Sequence, residues 1–164
     1  MGDRLFASPG HLARFLAALP QEIAEAQQKG LEQAAKLIER EAKAEIGIYQ
    51  GQAGPFAAWR PLAQATREDR VRKGYTPNDP LLRTGDLRDS ITHEVGEREA
   101  VIGSDNQIAV YQELGTRAIP ARSFLGGAAV RKSDEVAAIL GRHAMAALVG
   151  AGTSAKILPV EAGN

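Results

Sequence analysis

The chain has 164 residues, 44% of them hydrophobic, and its 20 basic side chains balance 20 acidic ones. This predicts one globular domain with a buried core and argues against nucleic-acid binding through bulk charge. The absence of cysteine excludes disulfides, a thiol nucleophile and a cysteine-type zinc site. We expect no membrane span, since no apolar run approaches roughly 20 residues. We also expect no export signal, because Pro9, His11 and Arg14 interrupt the apolar N-terminal stretch.

The N-terminal third predicts a long helix. Ser8 is a suitable N-cap, and Pro9 follows at the first helical position, where its missing N–H costs nothing. Apolar residues then recur every three or four positions to about Ile46. We expect Pro20 to interrupt this pattern and Gly47 to end it.

The middle of the chain alternates between loops and short elements. Residues 47–61 contain several glycines and prolines and predict a loop, and residues 65–74 predict one to three helical turns. Residues 88–104 predict a β-hairpin closed by the polar segment "GERE". The segment "IAVYQELG" is compatible with either a strand or a helix, and residues 116–123 predict a loop.

The C-terminal third predicts a helix that begins at the acidic cap of residues 133–135 and continues to Leu148. The expected fold is α+β, in which the N-terminal and C-terminal helices pack on a small, mainly antiparallel sheet. We expect a single domain over residues 1–150. Residues 151–164 are expected to form a Gly/Ser-rich tail that is mobile or becomes ordered on assembly.

The segment "DPLLRTGDLRDSITHEV" (79–95) contains the residue types of a hydrolase. A catalytic triad needs its nucleophile, base and acid to converge, with an oxyanion hole facing them. Asp89 and Ser90 point to opposite faces of a strand, and in a helix Ser90 points about 100° away from Asp89 and His93. The segment therefore favours a structural role without catalysis, with Ser90 and His93 on the surface.

A capped turn is the preferred interpretation of the same segment. Thr84 can cap a helical turn, and Gly85 permits a close backbone approach. Leu87 and Ile91 are spaced to bury together, which leaves residues 88 and 89 facing solvent.

We expect no metal and no cofactor. His11, His93 and His143 lie far apart without ligand spacing, and no phosphate-binding glycine motif occurs. Residues 60–88 are locally basic but diluted by acidic side chains, and a solvated face is preferred over a nucleic-acid patch. Its basic residues are Arg60, Arg67, Arg70, Arg72, Lys73, Arg83 and Arg88.

Five motifs follow one another in a characteristic order: "WRPL" (59–62), "LLRTGDLRDSI" (81–91), "AVIGS" (100–104), "AVYQELGT" (109–116) and "IPARSFLG" (119–126). Their order and spacing resemble the bacteriophage virion-morphogenesis family of tail-completion proteins. They resemble more loosely the head–tail joining and tail-terminator proteins of long-tailed phages. The resemblance covers roughly residues 30–140. It departs at Ser123, where proline is usual, and does not extend to the tail after 150.

The resemblance implies structural roles for several residues. Trp59 and Leu62 are expected to pack against the long helix, and Phe124 belongs to the same set of structural positions. Gly115 is expected to need a positive φ or a close backbone contact.

The resemblance also implies a candidate interface made of Arg122, Glu113, Arg117 and Pro120. A guanidinium makes planar, bidentate contacts with carboxylates, so Arg122 is the principal candidate. Glu113 is its expected partner, either within one subunit or across to the next.

The function implied by the resemblance is that of a structural subunit of the phage neck, assembled in the bacterial cytoplasm and located in the virion. Such a subunit forms a ring, six-fold in the leading interpretation, that caps the tail tube and joins it to the head connector or stopper. DNA at most passes through the lumen. The alternative is a non-structural assembly factor absent from the mature particle. A small hydrolase using Ser90 or His93 is a third hypothesis, and we expect no enzymatic activity.

Overall fold

The computed structural model describes residues 9–157 and shows an α+β fold, as predicted. The elements in chain order are α1 (Pro9–Glu45), α2 (Gln64–Arg72), α3 (Asp86–Asp89), β1 (Ile91–Val95), β2 (Ala100–Ser104), α4 (Gln107–Leu114), α5 (Leu125–Arg131) and α6 (Ser133–Ile157). Within these residues, no helix is both long enough and apolar enough to cross a membrane.

Helix α1 is described from Pro9 onward, and the predicted N-cap Ser8 lies outside the described residues, so the predicted helix start stays a prediction. Pro20 lies inside the continuous helix, so the predicted interruption is wrong. A proline removes one helical hydrogen bond, but strong helix formers on both sides, such as "FLAAL" and "QEIAEAQQ", let the helix propagate through it. Gly47 adopts φ 101° directly after the helix ends, and a conformation of this kind stops helices.

Helix α1 is the surface on which the hairpin, α5 and α6 assemble. The hairpin is antiparallel and pairs Ile91 with Ser104 at one end and Val95 with Ala100 at the other, as expected for a connection by residues 96–99. Helix α6 contacts α1 along its length, and Nε2 of His143 lies 3.0 Å from Oε1 of Gln33.

The core lies where α1 meets the hairpin and the loops. Its buried cluster consists of Ala42, Ile46, Trp59, Leu87, Ile91, Ala109, Phe124 and Ala128. The aromatic ring of Phe124 and the side chain of Ile91 are fully buried, and Leu62 is buried as well. These residues come from every part of the chain between 42 and 128, so the loops are as much part of the core as the helices.

A buried ion pair joins α1 to α5. The Glu45 side chain is 3% exposed and accepts a hydrogen bond from Nη1 of Arg131. Burial raises the pKa of Glu45 to about 7, although Arg131 opposes the shift. Oε2 of Glu45 is buried without a hydrogen-bond partner.

The segment "IAVYQELG", which the sequence left open between strand and helix, forms helix α4. A further short helix, α5, occupies residues for which no element was predicted. Helix α6 continues through Gly150 and Gly152 to Ile157, beyond its predicted end at Leu148. Residues 158–164 lie outside the described residues, and the single domain of residues 1–150 stays a prediction.

Candidate functional site

The residues of segment 79–95 that could form a catalytic triad, Asp89, Ser90 and His93, do not contact one another. Arg88 Nε donates to Oδ1 of Asp89 at 2.9 Å, and both residues are exposed. Ser90 Oγ donates to the Leu87 carbonyl at 2.8 Å and lies 2.7 Å from Oγ of Ser104. Asp89, Ser90 and His93 therefore point to different partners.

His93 is not a surface residue, which corrects the prediction from the sequence. Its side chain is 16% exposed, and its Nδ1 and Nε2 face Oε2 of Glu39 and Oε1 of Glu32 on α1. The hydrogen bond to Glu39 raises the pKa of His93, and the Glu32 carboxylate adds to the effect. The imidazole between these two carboxylates connects the hairpin to α1.

The turn before the hairpin has the expected burial. Leu87 and Ile91 are 7% and 0% exposed, and both belong to the core cluster. The N-cap position of α3 is occupied by Gly85, at φ 99°, and the predicted cap, Thr84, is the residue before it. The Thr84 hydroxyl still contacts the first turn of α3, because its Oγ1 donates to Oδ2 of Asp86 at 2.7 Å.

Glu113 forms the N-terminal cap of α5. Its carboxylate accepts backbone hydrogen bonds from Phe124, Leu125 and Gly126 at 2.8–2.9 Å, and a further bond from the Ser123 hydroxyl. The first backbone N–H groups of a helix lack helical partners, so a carboxylate placed there satisfies them. The predicted partnership of Glu113 with Arg122 does not form within the subunit, because the Glu113 oxygens are already occupied.

Gly115 has the backbone conformation expected of it. Its φ is 74°, and a Cβ atom there would lie 2.8 Å from the backbone N of Ala121. The loop that follows turns back on α4, since the Arg122 N–H donates to the Gln112 carbonyl at 2.6 Å. Arg117 and Pro120 are exposed on this loop.

Arg122 is buried, which corrects the picture of a surface loop residue. It is 4% exposed, and its Nη2 donates to the Arg60 carbonyl at 3.0 Å. Its Nε has no hydrogen-bond partner. Burial lowers the pKa of Arg122, and the nearby charge of Arg70 lowers it further.

Arg70 is a second buried arginine, although the sequence assigned it to a solvated face. Its Nη1 donates to the carbonyls of Asp79 at 2.8 Å and Leu82 at 2.7 Å, with a longer contact to Thr76. Burial lowers the pKa of Arg70, and the nearby Arg83 adds to this. The residues next to Arg70 in helix α2 do not indicate its burial. The carbonyls that accept its hydrogen bonds belong to a loop that begins after the helix and extends to Leu82, 12 residues away.

These two arginines line one cleft of about 550 Å³, here called the arginine cleft. Its charged lining residues are Arg60, Asp69, Arg70, Arg83, Asp86 and Arg122, and its walls include Leu62, Leu81, Ile108, Ile119 and Pro120. Asp69 is engaged by Lys73, Arg72 and Arg83. Arg83 also lies over the ring of Tyr75, 5.0 Å from its centroid. The cleft thus combines an excess of guanidinium groups with apolar walls.

Helix α4, beside this cleft, exposes an apolar face. Val110, Tyr111 and Leu114 are 52%, 42% and 74% exposed, and their spacing places them on one side of the helix. The opposite side carries Ala109, which is buried in the core. Among the described residues, no group of three or more potential ligands could hold a metal ion.

Comparison with known proteins identifies the family. The model of the phage virion morphogenesis family matches residues 2–144, a range that includes α1 to α5, the hairpin and the first half of α6. Searches of curated proteins and of solved structures gave no significant match. The resemblance seen in the order of the motifs is confirmed. The chain belongs to the phage virion morphogenesis family.

Proposed function

We propose that this protein is a structural subunit of the phage neck, in which it forms a tail-completion ring that caps the tail tube and joins it to the head connector. Membership of the virion morphogenesis family supports a role in particle assembly. The observation that carries the structural role is the exposed apolar face of α4, formed by Val110, Tyr111 and Leu114.

An apolar helical face of this kind is typical of a surface that another protein covers. Burying a large apolar side chain contributes roughly 1.5–3 kcal/mol, and Leu114 is 74% exposed in the isolated subunit. The charge of the whole chain is balanced, so repulsion between copies does not oppose association.

A closed ring of identical subunits needs two different, complementary surfaces on each copy. In our proposal the chain has three kinds of partner: further copies of itself, the tail tube protein, and the connector or stopper protein. The ring of identical copies is proposed to be a hexamer. The ring is located in the neck of the virion after assembly in the bacterial cytoplasm. DNA at most passes through its lumen, and the chain itself catalyses no reaction.

The mass of the purified protein, alone and with tail tube protein, tests this proposal. Light scattering after size exclusion is expected to show a discrete oligomer of the wild type and loss of that oligomer in Leu114→Glu. Ile48→Glu is the matched control, since Ile48 is 62% exposed and lies outside α4. A wild-type protein that stays monomeric under both conditions contradicts the proposal.

Family membership also supports a non-structural assembly factor, which acts during morphogenesis and then leaves. Mass spectrometry of purified virions separates the two functions. A structural ring predicts a fixed number of copies in each particle, whereas an assembly factor predicts tail defects on deletion with no copies retained.

A further inference from the structure

We propose that the arginine cleft of one subunit binds a carboxylate from the hairpin turn of a second copy of this chain. The turn is the connection between β1 and β2, residues 96–99, in which Glu97 and Glu99 flank Arg98, so that its net charge is negative. This inference rests on the proposed self-assembly and names the two surfaces that meet.

The first argument is the unbalanced charge of the cleft. Within the described part of the chain, Arg122 and Arg70 donate only to backbone carbonyls and form no ion pair. A buried guanidinium without an opposite charge is costly, and a carboxylate supplied from outside offsets that cost. The buried Nε of Arg122 also lacks a hydrogen-bond acceptor.

The shape and lining of the cleft favour a carboxylate side chain over a nucleic-acid backbone. Asp69 and Asp86 line the cleft and would repel a continuous chain of phosphates more strongly than a single carboxylate. A glutamate also places two methylene groups beside its charge, and Leu62 and Ile119 provide apolar walls for such a stem. Guanidinium groups bind carboxylates with bidentate geometry.

The position of the turn favours a contact with the cleft of another subunit over a contact with the cleft of its own subunit. The cleft includes Leu87 and Asn106, which adjoin the end of the hairpin where Ile91 pairs with Ser104. The turn is at the other end, beyond strands of five residues each. At roughly 3.3 Å per residue this separation is about 16 Å, so a subunit does not reach its own cleft with its own turn.

Glu97 and Glu99 are available for such a contact. Both are exposed, and within the described residues no ion pair engages either carboxylate. One subunit therefore carries an acidic turn at one end of the hairpin and a basic cleft at the other. Surfaces arranged in this way join copies head to tail, which is the interface type that closes into a ring.

Charge reversal and its rescue test the proposal. Arg60→Glu changes an exposed arginine of the cleft and leaves intact the Arg60 carbonyl that accepts from Arg122. A second variant carries Glu97→Arg and Glu99→Arg in the turn. Each variant alone is expected to weaken assembly at least tenfold by sedimentation, with unchanged circular dichroism, because Arg60→Glu removes the net positive charge of the cleft and the turn variant brings like charges together.

The decisive measurement uses an equimolar mixture of the two variants. The acidic turn of the first variant complements the unchanged, net positive cleft of the second, whereas the basic turn of the second meets a cleft in which Arg60→Glu has balanced the charges. The mixture is therefore expected to recover, through the first of these junctions, association that neither variant shows alone. Arg67→Glu, an exposed arginine of α2 outside the cleft, is the control and is expected to assemble like the wild type.

Three results would overturn the inference. Assembly that is indifferent to both reversals refutes the turn-to-cleft contact while leaving the proposed ring intact. A wild type that never assembles, alone or with tail tube protein, refutes the ring and this contact together. Loss of binding to a short DNA duplex in Arg60→Glu, with normal assembly of both variants, assigns the cleft to nucleic acid instead.

Discussion

Replacing Glu113 by glutamine is expected to destabilise the protein strongly, although the two side chains have nearly the same size. The carboxylate accepts hydrogen bonds from the backbone of Phe124, Leu125 and Gly126 and from the Ser123 hydroxyl. Glutamine has one acceptor oxygen instead of two, and its NH2 group would face N–H donors. It also lacks the negative charge that favours a helix N-terminus.

The magnitude follows from the number of bonds lost. Hydrogen bonds to charged groups contribute roughly 1.5–3 kcal/mol each, and glutamine can retain about half of the four bonds. Since bonds that share one acceptor are not additive, we expect the free energy of unfolding to fall by about 3 kcal/mol. For a domain of this size, that corresponds to a melting temperature lower by roughly 6–12 °C.

Urea denaturation followed by circular dichroism measures the change directly. Glu68→Gln is the matched control, because Glu68 is exposed and accepts one side-chain bond from Gln64, and its effect is expected to stay within about 0.5 kcal/mol. If Glu113→Gln unfolds at the same urea concentration as the wild type, the carboxylate does not stabilise α5 and the argument from its contacts fails.

Three further predictions concern the core, a turn and a buried acid. Trp59→Ala should lower the free energy of unfolding by about 3–5 kcal/mol, and an unchanged melting temperature would place the indole outside the core. Gly115→Ala should lower the free energy of unfolding, measured by urea denaturation, by about 1–3 kcal/mol or more, because φ is 74° and the added Cβ meets the backbone of Ala121. An unchanged free energy of unfolding would disprove this close approach. The pKa of Glu45 rises from 4.5 to about 7 on folding, so the folded state holds the proton more tightly than the unfolded state does. The resulting contribution to stability is fully present below pH 4.5 and is lost as the pH rises through 7. Urea titrations from pH 4.5 to 8 should therefore show the wild type losing about 3 kcal/mol relative to Glu45→Gln, and a constant difference would refute the shift.

The elements that the sequence predicted well are those specified by local patterns. The apolar period of α1, the acidic start of α6 at Ser133 and the alternation of the hairpin each depend on residues close together in the chain. The burial of Leu87 and Ile91 was predictable for the same reason, because their spacing places them on one side of a short turn.

The candidate site was predictable only in part. Gly115 and the loop after it were recognisable, but the role of Glu113 was not, because its four donors lie 10 to 13 residues further along the chain. Arg122 was singled out as the principal interface residue, a role that stays a prediction, but its burial was not foreseen. Its burial depends on the Arg60 carbonyl, 62 residues away.

The same distinction explains His93. From its neighbours in the strand it has the appearance of a surface residue, yet Glu39, 54 residues earlier, lies against its ring. No pattern within the hairpin contains that information, because the contact exists only when the hairpin packs on α1.

The sequence by itself determined the class of fold, helices α1 and α6, the hairpin and the family, because periodicity, capping and motif order are properties of neighbouring residues. Only the tertiary structure decided which polar side chains are buried and what they contact. Arg70 and Arg122 became the lining of one cleft because a loop and two distant segments meet there. Burial and charge compensation depend on everything that surrounds a side chain, and most of those surroundings come from elsewhere in the chain.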